Sequence, residues 1–381
     1  MYFCNIMDLR NCITKMSDIS PYRKHARWHD YKARGIYLIT LVVSNRDHLL
    51  GELNMDINNP GVSLTETGKM VENNWCKIPE IQAKHGRKIK VITSVSMPDH
   101  FHGVLFVEED MDVKLGVVLQ GFKSGCTRDW RKINGIKNLE TDIQASHISI
   151  NKRIEHYKQL PRTNRPLFDP DFDDSILFRQ GQLQNMIDYV KDNPRRAIYK
   201  KILPNLFRNY QKIEIAGRYY SSFGNIFLLK MPKKQQVFFH RYEQTFENLQ
   251  KPPKERTRYE NTSQFQQERN ALINAATYED VVLVNPAISK GEQIIKKDCN
   301  EQSLKMIHIQ SEPINPFFTP EKQRFEACIS GNLLILAPLE LEKMEGFDGI
   351  NANTKYSKFH NINKLAKEIA EYYGNVVICK K

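Results

Sequence analysis

Two histidines separated by one residue open an apolar run at Met97-Pro98-Asp99-His100-Phe101-His102-Gly103-Val104-Leu105-Phe106-Val107. The run reads as a β-strand, and because side chains alternate across a strand, both imidazoles face the same way. Two neutral ring nitrogens on one face are a partial ligand set for a divalent cation, with most of its coordination sphere left open. Much later, Leu183-Gln184-Asn185-Met186-Ile187-Asp188-Tyr189-Val190-Lys191-Asp192-Asn193-Pro194 reads as a helix. Leu183, Met186, Ile187 and Val190 form its buried stripe, and Tyr189 and Asn193 sit one turn apart along the edge. An amide oxygen from Asn193 can complete a two-histidine site suited to Mg²⁺ or Mn²⁺, while the Tyr189 phenol meets a phosphate held there. The bland alternative makes Tyr189 a packing residue and Asn193 a helix terminator before proline.

The elements that must position these groups follow from periodicity. Residues 35–43, Gly-Ile-Tyr-Leu-Ile-Thr-Leu-Val-Val, are rich in β-branched and aromatic side chains and predict a central strand. A helix is predicted over about 63–84, capped by Thr65 or Thr67, with Met70, Val71, Trp75, Ile78 and Ile81 at apolar spacing. A strand over 89–96 precedes the histidine strand, and Pro98-Asp99 makes the turn of a hairpin. Residues 114–132 predict a helix with Leu115, Val118, Leu119 and Phe122 on its apolar face and Lys123, Arg128, Arg131 and Lys132 supplying charge. A polar stretch over 134–165 shows no clear period. The tyrosine helix runs from about Gln182 to Asn193, stopped by Pro194. This order predicts an α+β fold, helices packed on an antiparallel sheet.

With 381 residues the chain accommodates two domains. Lys and Arg number 56 against 44 Asp and Glu, and the net charge of +12 favours a polyanionic partner, nucleic acid foremost. Cys4, Cys12, Cys76, Cys126, Cys299, Cys328 and Cys379 are odd in number and never spaced Cys-x-x-Cys, which argues against a zinc ribbon or disulfide scaffold and fits a reducing cytoplasm. Neither a signal peptide nor an apolar run of roughly 18 to 20 residues is present, so no membrane is expected. No internal repeat, Walker loop or Gly-x-Gly-x-x-Gly fingerprint is found.

Four segments are expected: a basic arm at 1–30 (Arg23, Lys24, His25, Arg27), the histidine and tyrosine domain at 31–200, a basic connector at 201–234, and an α/β domain at 235–381. The arm either lies on DNA or is solvated. From about Pro194 to Lys234, Arg195, Arg196, Lys200, Lys201, Arg208 and further basic residues interleave with Tyr199, Tyr210, Tyr219 and Tyr220. That pattern suits phosphates and unstacked bases, or equally a solvated connector. In the last segment, strands over 235–240, 281–284, 306–309 and 332–337 alternate with helices over 263–276, 289–302 and 362–373, the mark of a doubly wound α/β domain.

Together the first two motifs resemble the single-tyrosine HUH transposases of bacterial insertion sequences, particularly the REP-associated tyrosine transposases. The matching residues are Met97 to Gly103, Tyr37-Leu38-Ile39-Thr40 with Asn45-Arg46, Phe122-Lys123-Ser124, and Tyr189-Val190-Lys191-Asp192-Asn193-Pro194, over about residues 30–200. The resemblance implies a ferredoxin-like sheet, metal ligation by His100, His102 and Asn193, and attack on DNA by Tyr189. It further implies a 5′-phosphotyrosine and a free 3′-hydroxyl on single-stranded DNA beside a hairpin, in a nucleoid-associated protein. Lys123, Arg128, Lys132, Arg195 and Arg196 are the expected phosphate contacts, the first three otherwise forming a solvated helix face. Asp99 stands where the family more often has Asn, and Ser175 where relatives often carry His.

More faintly, residues 281–286, 289–292, 306–309 and 333–338 resemble the Rossmann-like domain of DNA-processing protein A and its nucleotide-sensing relatives. That likeness implies a phosphate or nucleotide at the helix opened by residues 285–291, against a purely structural domain. Three functions follow: a metal-dependent, tyrosine-mediated single-strand endonuclease and strand transferase, a hairpin-binding protein in which cleavage is unimportant, or a nucleotide-sensing regulator.

Overall fold

The computed structural model describes residues 25–26, 28–136, 152, 155–156, 159–178, 181–344 and 354–379. Arg23, Lys24 and Arg27 of the expected arm lie outside them, as does most of 137–158. The chain divides into two compact units, Met1–Ile198 and Tyr199–Lys381.

The first unit contains β1 (Gly35–Val42), β2 (Gly51–Asn54), β3 (Gly61–Leu64), α1 (Glu66–Cys76), α2 (Ile78–Ala83), β4 (Ile89–Ser96), β5 (His100–Val107), α3 (Leu115–Ile133), β6 (Asp173–Ile176) and α4 (Gln182–Ile202). Four strands form one antiparallel sheet, β4-β5-β1-β6, and β2 pairs with β3 in a separate hairpin. Alternation sorts the strand side chains. Tyr37, Ile39, Leu41, Phe101, Leu105 and Val107 turn to the face that packs on Val71 and Trp75 of α1 and on Leu115, Leu119 and Phe122 of α3. Burying each such side chain is worth about 1.5–3 kcal/mol. The intervening residues, His100, His102 and Thr40 among them, are left for the opposite face.

Gly103 is set by that core. A Cβ there would lie 2.3 Å from the Trp75 ring, so the indole occupies the space directly over the strand backbone. Two helix expectations change. The first begins later, because Ser63 and Leu64 belong to β3; Thr65 then caps α1 by accepting from Gly68 N, and α2 restarts with Pro79 in its first turn. The tyrosine helix does not stop at Pro194 but continues to Ile202. Val190, Pro194 and Ile198 are buried at intervals of four residues, and this packing outweighs the roughly 3 kcal/mol cost of an interior proline.

The second unit contains β7 (Asn209–Ile215), β8 (Arg218–Gly224), β9 (Lys234–Gln236), α5 (Phe246–Gln250), α6 (Ser263–Tyr278), β10 (Val282–Asn285), α7 (Lys290–Glu301), β11 (Met306–Ile309), α8 (Lys322–Ile329), β12 (Leu333–Pro338), α9 (Lys355–Glu371) and β13 (Val377–Ile378). Its sheet has the order β13-β7-β8-β12-β11-β10-β9. Strands β9 to β12 are parallel, while β7, β8 and β13 join antiparallel. Phe265, Ile295 and Cys328 of α6, α7 and α8 cover one face, and Ile362, Leu365 and Ile369 of α9 the other.

The expected connector over 201–234 is therefore part of this unit, supplying β7, β8 and most of the turn to β9. Ile213, Ile215 and Tyr220 are buried in its core, so this part of the stretch is paired sheet and not a solvated connector. Ala216 and Gly217, with φ of 51° and 73°, join the two strands, and a two-residue loop with both residues left-handed has the form of a type I′ hairpin.

Candidate active site

The β1–β5 register sets Thr40 opposite His102 and Val42 opposite His100. The two imidazole centroids are 4.8 Å apart. His100 Nδ1 lies 2.6 Å from Asp99 Oδ1, and Asp99 Oδ2 accepts from Arg46 Nη1 at 3.0 Å. An ionised carboxylate only accepts, so Nδ1 carries the proton and Nε2 is the nitrogen for a metal. His102 Nδ1 meets Thr40 Oγ1 at 2.8 Å, which fixes its ring in the same manner. Burial, then the neighbouring His100, pushes the His102 pKa down to about 3, keeping the imidazole in the neutral form that ligates metals. Asp99 is held well below the ordinary carboxylate range, first by its hydrogen bond from His100 and further by Arg46. The Asp99 carboxylate is thus engaged in orienting the His100 ring.

Arg46 reaches Asp99 from the turn Ser44–Arg46, where Asn45 and Arg46 have φ of 63° and 53°. Left-handed backbone at two successive non-glycine residues is uncommon and clusters at functional sites. The same turn presents Asp47, which accepts from Asn45 Nδ2 at 3.2 Å.

Helix α4 sets Tyr189 beside the histidines, its ring centroid 6.0 Å from that of His102, with 40% of the residue exposed. Asn193 Nδ2 donates to Tyr189 O at 3.3 Å, so the amide nitrogen is spent on its own helix and the amide oxygen is the atom a cation would take. Among the described residues no group of three His, Cys, Asp or Glu is placed to hold a metal. The two oriented imidazoles are donors of the kind that suits a divalent cation retaining water ligands, and Asn193 lies one turn of α4 from Tyr189.

The expected phosphate contacts divide. Arg128 and Lys132 are exposed, Arg128 next to Asp129 at 3.2 Å. Arg195 is half-buried and donates to Asp192 at 3.3 Å. Arg196 is only 6% exposed, with its guanidinium 6.0 Å from the Tyr189 ring centroid and 4.0 Å from Asp192. Lys123, also 6% exposed, turns inward. Its ammonium donates to Pro170 O at 2.5 Å and Asp169 O at 3.2 Å, holding the loop before β6 in place of a phosphate. Ser175 is exposed on β6 opposite Leu38, and Asp173 lies opposite Thr40.

Sequence reasoning missed the group around Asp174. His25 bridges Asp174 and Asp171, and Tyr31 donates to Asp174 Oδ2 at 2.8 Å, so the His25 and Tyr31 side chains form a strap onto β6 and the loop before it. Those hydrogen bonds raise the His25 pKa to about 9. A run of His25, His29 and Tyr31 ahead of the first strand is the signal that was present.

In the second unit, the loop after β10 does open a helix, but the helix supplies its own anion. Glu292, buried, accepts from Ile288 N at 2.6 Å and Ser289 N at 3.0 Å, and Ser289 Oγ accepts from Glu292 N, a closed capping box. A phosphate at this terminus competes with that carboxylate for the same donors. Nearby, buried His308 donates from Nδ1 to Asn285 O at 2.9 Å and accepts from Lys296 Nζ at 3.0 Å. Burial lowers the Lys296 pKa to about 8.

No family model matches the chain. An uncharacterised protein of Haemophilus influenzae is 28% identical over 173 residues, spanning 44% of this chain and 83% of that protein. A solved structure of the REP-associated tyrosine transposase bound to a REP hairpin is 18% identical, covering 47% of this chain and 74% of that one, with a TM-score of 0.28. Among the described residues no helix is long and apolar enough to cross a membrane.

Proposed function

We propose that this chain is a divalent-metal-dependent single-stranded DNA endonuclease and strand transferase, working beside DNA hairpins through a 5′-phosphotyrosine on Tyr189. The observation that carries the reading is the juxtaposition of Tyr189 with His102 and His100, both rings oriented through Nδ1. A fold that only bound DNA has no need of a phenol beside two such imidazoles.

His100 and His102, with the Asn193 amide oxygen, would hold the cation, which supplies charge neutralisation at the scissile phosphate when bound. Thr40 and Asp99 keep the rings pointed, and Arg46 balances the Asp99 charge. Tyr189 Oη forms the new bond to phosphorus, the bond to the 3′-oxygen breaks, and the phenolic proton is replaced by one on the departing 3′-hydroxyl. The ester conserves the energy of the broken bond, so the strand can be rejoined without ATP.

The test is a denaturing gel of the purified protein with labelled single-stranded hairpin DNA, in Mn²⁺ or EDTA, for wild type and Tyr189→Phe. A metal-dependent, protease-sensitive adduct absent from the variant is expected. Hairpin binding with no adduct across a set of hairpins overturns the reading in favour of a DNA-binding protein without cleavage.

A further inference from the structure

The last turn of α3 and residues 162–166 gather three arginines. The Arg162 guanidinium stacks over the Trp130 ring at 4.3 Å and donates from Nη1 to Pro166 O at 3.0 Å. Its Nε lies 3.1 Å from Asp47 Oδ2 without the alignment of a hydrogen bond, and its Nη2 is buried with no partner among the described residues. Arg131 is only 4% exposed, and its Nε and Nη2 likewise have no partner there. Arg165, whose Nε donates to Leu160 O at 2.7 Å, adds a third charge. Burial lowers the Arg162 pKa to about 10; Asp47 opposes that shift, while Arg165 and Arg131 add to it.

A purely structural cluster gains little from this arrangement. Buried guanidinium N–H groups without acceptors are costly, and the cost grows with like charges beside them. An oxyanion removes both penalties, because its oxygens match the planar fork of a guanidinium and its charge offsets the excess.

We propose that Arg131, Arg162 and Arg165 form a binding site for a backbone phosphodiester of the nucleic-acid strand, connected through residues 44–47 to the Asp99 that orients His100. This deepens the function proposed above and rests on it for the identity of the ligand. The stretch Ser44 to Asp47 links the two places: Arg46 holds Asp99 at His100, and Asp47 faces Arg162. A phosphate held at the arginines would thus lie against the same turn that orients His100 through Asp99.

The test uses the full chain as wild type, Arg162→Gln and, separately, Arg165→Gln, each checked for folding by circular dichroism. Thermal midpoints are measured with sodium sulfate against sodium chloride at equal ionic strength. Sulfate stabilises proteins generally by exclusion, so the readout is the difference between wild type and variants. An additional rise of roughly 2–4 °C in wild type, absent from both variants, is expected. The same sulfate response in all three proteins overturns the site. Affinity for a labelled single-stranded hairpin is then measured against salt, and the slope of log affinity should become shallower by about 0.7 for each phosphate that the variant no longer neutralises. A sulfate effect absent from the variants with no change in slope shows a site for a free oxyanion and overturns the nucleic-acid assignment. Failure of wild type to form a covalent adduct, with sulfate response and slope as expected, counts against the proposed cleavage and leaves this site standing.

Discussion

Asp99 and Thr40 do different work at the two imidazoles, and the difference can be measured. Asp99 accepts the hydrogen bond of His100 Nδ1 as a charged group, while buried His102 Nδ1 is met by the neutral hydroxyl of Thr40. Partners of metal-ligating histidines typically govern affinity by about 10–100-fold. Asp99→Ala is therefore expected to weaken Mn²⁺ binding within that range, and Asp99→Asn by only a few-fold, since its amide oxygen still accepts from Nδ1. Isothermal titration with Mn²⁺ checks this, and equal affinities for wild type and Asp99→Ala would remove Asp99 from the site. His100→Ala and His102→Ala should each abolish the stimulation of adduct formation by Mn²⁺ or Mg²⁺. Metal dependence unchanged in both would place the cation elsewhere.

At the scale of the element, β5 has to present two histidines on one face while its other face closes on the core. Gly103 is where these demands meet, because Trp75 leaves no room for a side chain. Gly103→Ala should cost about 1–3 kcal/mol by overpacking, read as a lower denaturant midpoint at unchanged slope. The strap across β6 makes a second prediction. His25 has its pKa raised from 6.5 to about 9, so its contribution is fully present below pH 6.5 and is lost as pH rises through about 9. The thermal midpoint of wild type should fall over that window by more than that of His25→Asn; parallel curves would show that the strap does not depend on this charge. What could be read beforehand follows the same division by element. Period-two alternation exposed the pairing of His100 with His102, and a four-residue interval set Tyr189 above Asn193, because both are local rules. Lys123 was misread because a basic residue on an amphipathic helix says nothing of the loop carbonyls that fold over it. The β7–β8 hairpin was hidden because Ala216-Gly217 lacks the usual Asn-Gly signal, and β6 because an edge strand of Asp-Asp-Ser-Ile has no apolar run.

Across the whole molecule, the excess of 12 positive charges acts on a polyanion through counterion release, a sum over every phosphate the protein neutralises. Composition alone counts each basic residue equally; the fold does not. Lys123 and Arg196 are withdrawn into the first unit, whereas Arg128 and Lys132 remain exposed. In the second unit Glu292 occupies the helix terminus that a phosphate would use. The affinity of the whole chain for single-stranded hairpin DNA should therefore fall steeply with salt, and neutralising the exposed pair together, Arg128→Gln with Lys132→Gln, should reduce the slope of log affinity against log salt by about 1.4, two phosphates at about 0.7 each. Lys123→Gln, by contrast, should lower stability by removing its hydrogen bonds to the loop carbonyls while the slope of the folded protein stays unchanged. Equal changes of slope for the buried lysine and the exposed pair would mean that the strand is read by overall charge and not by the surface this fold presents.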